Sequence, residues 1–116
     1  RAQFGQPLAA FGLTQATVGS MASQLIAARA ITYAAAVAMD HDERQAATIA
    51  AQAKLFACDA AVELTQMGQV LHGGWGYAEE YAISHYLRRA RVNEQLHGST
   101  AHHLQAFATA TPCAQP

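Results

Sequence analysis

From residue 13 to residue 71 the chain is dominated by alanine and is broken by one polar run, DHDE at 40–43. Alanine gives up no side-chain entropy in a helix and is the best helix former, and alternating runs of Val, Ile and Thr are absent. A sheet has nothing to build on, so the sequence commits the chain to long helices. From Leu13 onward Val18, Met21, Leu25 and Ala28 recur at helical spacing, continuing to about Met39. Past the break, where Asp40 or Asp42 offers an N-cap, a second helix is expected from about Arg44 to Leu71. Its stripe carries Ile49, Phe56, Ala60, Glu63 and Met67, with Leu55 and Val62 beside it.

HGGWGY at 72–77 must end that helix, because glycine supplies the backbone freedom an exit needs; the aromatic residues then read as a plug. A third helix fits Glu80 to about Val92, with Ile83, Tyr86, Leu87 and Ala90 inward. QLHGST at 95–100 is a turn, and a fourth helix fits Thr100 to about Thr109 with Leu104, Phe107 and Ala108 inward. GQPLAAFG at 5–12 reads as a loop, and Pro112 and Pro116 mark 110–116 as a flexible tail. The pattern predicts an all-α fold, an antiparallel up-and-down four-helix bundle forming a single domain over 1–116.

A length of 116 residues fits one domain, and an abrupt start at Arg1 without Met suggests a chain cut from a longer protein. Formal charge is −1 with no basic stripe, which argues against a nucleic-acid partner. No charge-free stretch is taken as long enough for a membrane span. Cys58 and Cys113 lie far apart with no CxxC, so they read as free thiols of a reducing compartment; with no targeting segment visible, a cytoplasmic location is expected.

Candidate chemistry is sparse on local grounds. His102 and His103 are adjacent and diverge by about 100° on a helix, no HExxH is present, and no metal site is expected. HGGWG lacks the preceding strand of a dinucleotide-binding loop, although bare glycine N–H groups at a helix end suit an anion brought by a partner chain. Arg88, Arg89 and Arg91 read as a solvated face, and Glu63 as a carboxylate paired with a neighbouring arginine.

Three ordered segments carry more. RAQFGQPLAAF, AKLFACDAAVELTQMGQVLHGGWGYAEEY and YLRRARVNEQLHGST span nearly the whole chain. In order and spacing they resemble the R-x-x-F-G-x-x-L, Q-x-x-G-G-x-G and R-D-A…E-G-T segments of the acyl-CoA dehydrogenases. The resemblance implies the C-terminal helical domain of an FAD-dependent flavoprotein of fatty acid or steroid β-oxidation. Such enzymes convert acyl-CoA to trans-2-enoyl-CoA, pass electrons to an acceptor flavoprotein, and hold FAD across a subunit interface of a homo- or hetero-oligomer. By the same resemblance Arg1 reaches a neighbouring subunit's FAD pyrophosphate, where a guanidinium fork suits phosphate. Gln3 and Phe4 adjoin it, and Leu8 and Phe11 pack the adenosine end. Gly73 and Gly74 lie against the cofactor, and Gly98 and Ser99 meet the flavin.

Four positions depart from the pattern. Val70 stands where the family has glutamine, with Gln69 one residue early; Arg89 replaces the Asp of R-D-A; Ala101 replaces Glu or Gln. His97 stands at the family's catalytic base. Three readings of His97 follow: catalysis is lost here and resides in a partner subunit, as in heteromeric enzymes acting on steroid thioesters; the base lies on a helix before Arg1; or His97 is itself the base. Imidazole titrates near neutrality, but its nitrogens do not sit where a carboxylate's oxygens do, and a misplacement of about 1 Å costs roughly a hundredfold. The first reading is preferred.

Overall fold

The computed structural model describes residues 2–42 and 44–110. Arg1, Cys113 and the tail beyond Ala110 lie outside the described residues, and with them the expectations placed on them. Four helices make up the fold: α1 (Gly12–Asp40), α2 (Ala46–His72), α3 (Ala82–Gln95) and α4 (Thr100–Ala110). The all-α bundle expected from alanine content is the architecture found, with α2 packed against each of the other three helices.

The α1–α2 pair is antiparallel. Leu13 and Thr17 lie beside Met67 and Val70 at one end, and Ala28 lies beside Ala57 farther along. Its seam is alanine: Ala28, Ala35 and Ala38 are buried on α1, and Ala46, Ala53 and Ala60 on α2. Seven-residue spacing keeps small side chains on one side of a slightly under-wound helix, so the two backbones approach closely. α3 also runs antiparallel to α2, since Lys54 meets Asn93 while Gly68 lies under Ile83. A β-carbon on Gly68 would stand 2.7 Å from Ile83 Cδ1, so a larger residue there would make the Ile83 side chain shift.

Residues 5–12 are more structured than a loop. Two-residue strands β1 (Ala2–Gln3) and β2 (Gln6–Pro7) pair antiparallel, Ala2 with Pro7 and Gln3 with Gln6, and a 3-10 turn (Leu8–Ala10) leads into α1. Phe4 (φ 52°) and Gly5 (φ 79°) both occupy the left-handed region, as a type I′ turn requires. Strands this short carry no period for sequence reading to find.

Several other expectations are corrected. Neither aspartate caps α2: Asp40 ends α1, Asp42 lies at φ 50°, and Gln45 holds the N-cap position with no side-chain bond. Val18, Leu25, Phe56, Tyr86, Leu104 and Ala108 are exposed, not inward. Glu63 is exposed as well and makes no ion pair among the described residues. Trp75 is no plug; it is 65% exposed. α1 is also long and apolar enough, by length and composition, to cross a membrane. The expectation that no stretch approaches a span is thereby not borne out on length and composition, and here α1 is one half of a helix pair.

Candidate functional site

The residues singled out by sequence fall into two groups at different places on the bundle. The first surrounds the end of α2. Gly73 takes φ 65°, ψ −147°, a conformation open to glycine, and turns the chain out of the helix into a 3-10 turn (Gly73–Tyr77). That turn folds back onto α2 because Gly76 has no side chain: a β-carbon there would sit 2.5 Å from the carbonyl oxygen of Gln69. Two buried donors then hold the Gly76 carbonyl, Gln69 Nε2 at 3.1 Å and Ser84 Oγ at 2.8 Å. His72 Nδ1 lies 2.7 Å from the Gly68 carbonyl oxygen and so donates to it.

This geometry explains the displaced glutamine. Gln69 points inward and ties the turn to α2, whereas Val70 is 70% exposed. The outward direction at position 70 is therefore an apolar surface. Val70 lines a groove of about 460 Å³ with Leu13, Thr17, Glu63 and Met67. Around the corner, Leu8, Leu71, His72, Trp75 and Tyr81 enclose a second cavity of about 320 Å³. Trp75 and Tyr81 lie tilted at 5.8 Å between ring centres, and His72 meets the Tyr81 ring edge-on at 6.2 Å. Leu8 thus joins the Gly73–Gly74 turn in one surface. Gly74 is open on its β-carbon side, with nothing within 4 Å, so another molecule can lie directly against its backbone. Gln3 is exposed, Phe4 is 95% exposed, and Phe11 is half-buried.

The second group is the α3–α4 turn. His97 (φ 59°) and Gly98 (φ 104°) both adopt the left-handed backbone, and Ser99 then caps α4 by accepting the His102 N–H at 3.4 Å. His103 Nε2 lies 3.0 Å from the carbonyl oxygen of His97; since a carbonyl only accepts, that nitrogen carries the proton. A β-carbon on Gly98 would stand 2.8 Å from His102 Cδ2 and 2.9 Å from His103 Nε2. The two adjacent histidines therefore wrap the turn, a task that sequence reasoning missed. Only the left-handed turn itself, which brings residue 103 back over residue 97, gives them that task. The His97 side chain is exposed, and among the described residues no hydrogen bond reaches its ring. Ala101 is exposed one turn away.

The structure does not bring these groups together. Asn93, just before the His97 turn, contacts Lys54 on α2. Eighteen residues separate Lys54 from His72, which is about 27 Å of α-helix. The arginine run is a surface feature: Arg88 pairs with Glu79 at 2.7 Å and Arg91 with Glu94 at 3.2 Å. Exposed pairs of this kind contribute little.

Comparison with known proteins bears on all of this. A family model described as acyl-CoA dehydrogenase, C-terminal domain, matches residues 1–111. Isobutyryl-CoA dehydrogenase of Dictyostelium discoideum is 41% identical over 101 residues, covering 87% of this chain and 24% of that protein. The mitochondrial isobutyryl-CoA dehydrogenase of Bos taurus is 37% identical over 99 residues, covering 85% of this chain and 24% of its own length. Among solved structures, butyryl-CoA dehydrogenase of Megasphaera elsdenii superposes with a TM-score of 0.90 at 32% identity, covering 95% of this chain and 28% of that one. The chain thus spans about a quarter of the length of the curated relatives it matches.

Proposed function

The chain belongs to the acyl-CoA dehydrogenase family, matching its C-terminal domain, and we propose that it serves an FAD-dependent oxidoreductase that converts acyl-CoA thioesters to 2-enoyl-CoA. The observation that carries this reading, beside the family match, is that the two groups of candidate flavin contacts lie about 27 Å of α2 apart. Residues so far apart on one chain serve two cofactor molecules more readily than one, and that arrangement needs a neighbouring subunit. In this reading the partners are a homo- or hetero-oligomer of related subunits, the steroid-type heteromers included, and an electron-accepting flavoprotein.

The residues present suit FAD in part. Gly74 offers an unobstructed backbone, and Gln3 and Phe4 are exposed on the hairpin. Ser99 Oγ accepts from His102, which leaves its hydroxyl hydrogen free to donate to a flavin or phosphate oxygen. Arg1 supplies the phosphate contact by resemblance. Val70 supplies none, since its side chain has no polar atom. FAD, when bound, accepts the hydride from the acyl chain. His97 does not take the α-proton in this account; that base lies on a partner subunit or before Arg1.

A second reading, a non-enzymatic helical interaction module with a decayed cofactor site, draws on Val70, His97 and Ala101. Flavin absorbance of the purified protein and of its Arg1→Ala variant separates the two. Loss of FAD from a folded Arg1→Ala variant supports cofactor binding across the interface. A flavin-free parent protein, or flavin content untouched by Arg1→Ala, favours the module.

A further inference from the structure

Midway along α2 lies a polar cluster that neither group uses. Lys54 Nζ stands 3.0 Å from Cys58 Sγ, one helical turn apart on the same face. Both groups converge on the Asn93 carbonyl oxygen in the last turn of α3: Nζ donates to it, and Sγ lies 3.7 Å away. Both side chains are half-buried, and no carboxylate pairs with Lys54 among the described residues. We propose that Cys58 and Lys54 form an oxidant-driven covalent switch, in which the lysine amine captures the oxidised cysteine as a sulfur–nitrogen link.

The step balances with hydrogen peroxide as the oxidant. The Cys58 sulfur attacks peroxide, the O–O bond breaks, and sulfenic acid and one water form. The neutral Lys54 amine then attacks that sulfur; the S–N bond forms as the S–O bond breaks, and hydroxide leaves with the amine proton as a second water. In sum, one thiol, one amine and one peroxide give the linked pair and two waters. Sulfenic acids condense in this way with backbone nitrogen, and a side-chain amine already in van der Waals contact has the same advantage of proximity. An added thiol reverses the link by attacking sulfur and releasing the amine. While linked, Lys54 has no ammonium charge and is drawn toward Sγ, so its hold on Asn93 weakens four residues before His97. Oxidation thereby loosens the α3–α4 turn. The link needs only α2 and α3, so it stands or falls independently of flavin binding.

Peptide mass analysis of the purified protein after peroxide treatment tests this. Trypsin should fail to cut after Lys54, and the peptide covering 45–88 should be lighter by two hydrogens than its uncut, unoxidised form. A thiol reductant should restore cleavage. Lys54→Arg preserves a donor to Asn93 but offers no neutral amine, so there Cys58 should pass on to sulfinic and sulfonic acid; Cys58→Ala should abolish the missed cleavage. The proposal is overturned by normal cleavage after Lys54 in oxidised parent protein, by equal overoxidation of Cys58 with and without Lys54, or by a Cys58–Cys113 disulfide as the product.

Discussion

His97 shows how much a single position can say and withhold. Its identity against the family pattern was plain in the sequence, as was the turn that follows it. What the sequence did not carry is the left-handed backbone that hands its carbonyl to His103 and leaves its ring to solvent. Alanine keeps the same β-carbon and the same carbonyl, so His97→Ala tests the ring alone. Its kcat should stay within about threefold of the parent in steady-state assays, whereas a large fall with FAD retained would make His97 the base. Gln69 and Val70 carry a related lesson. The displaced glutamine was legible as a departure, but its use was not, because nothing local states that the Gly76 carbonyl folds back onto α2. Gly76→Ala should cost about 1–3 kcal/mol in denaturant unfolding, since its β-carbon meets backbone that cannot move aside. A loss below a few tenths would mean that the turn is not clamped as described.

At the scale of helices, alanine content fixed where they run, and their order and approximate extent follow from it. Facing did not follow. A stripe reading assigns the largest apolar side chains to the interior, yet Val18, Leu25, Phe56 and Leu104 point outward while alanines fill the α1–α2 seam. Close helix packing reverses the usual rule: the seam selects small residues, and the bulky ones are left for surfaces beyond it. Ala53→Leu should therefore destabilise the fold by about 1–3 kcal/mol in thermal or chemical melts, although leucine forms helix nearly as well as alanine. A neutral outcome would show that the seam has room. The β1–β2 hairpin was illegible for the opposite reason, being two residues a side with its turn built on phenylalanine and glycine.

As a whole the molecule is elongated, 56 × 32 × 28 Å, with a radius of gyration of 17.8 Å against about 13 Å for a compact domain of this length. Among the described residues no large side chain is fully buried, and Leu13, Ile26, Tyr33, Val70 and Trp75 expose much of their surface. Such a shape suits a bundle that finishes its packing against other protein. The α1 helix, apolar enough to pass a membrane-span criterion, gives the same impression of surface awaiting a partner. An anaerobic titration of the purified assembly, every partner subunit present, with acyl-CoA thioesters of graded chain length, followed by flavin absorbance, tests the proposed dehydrogenase role most directly. Bound flavin whose oxidised band bleaches with at least one thioester is the expected result. A correctly folded assembly that carries no flavin, or whose flavin no acyl-CoA reduces, would contradict that role.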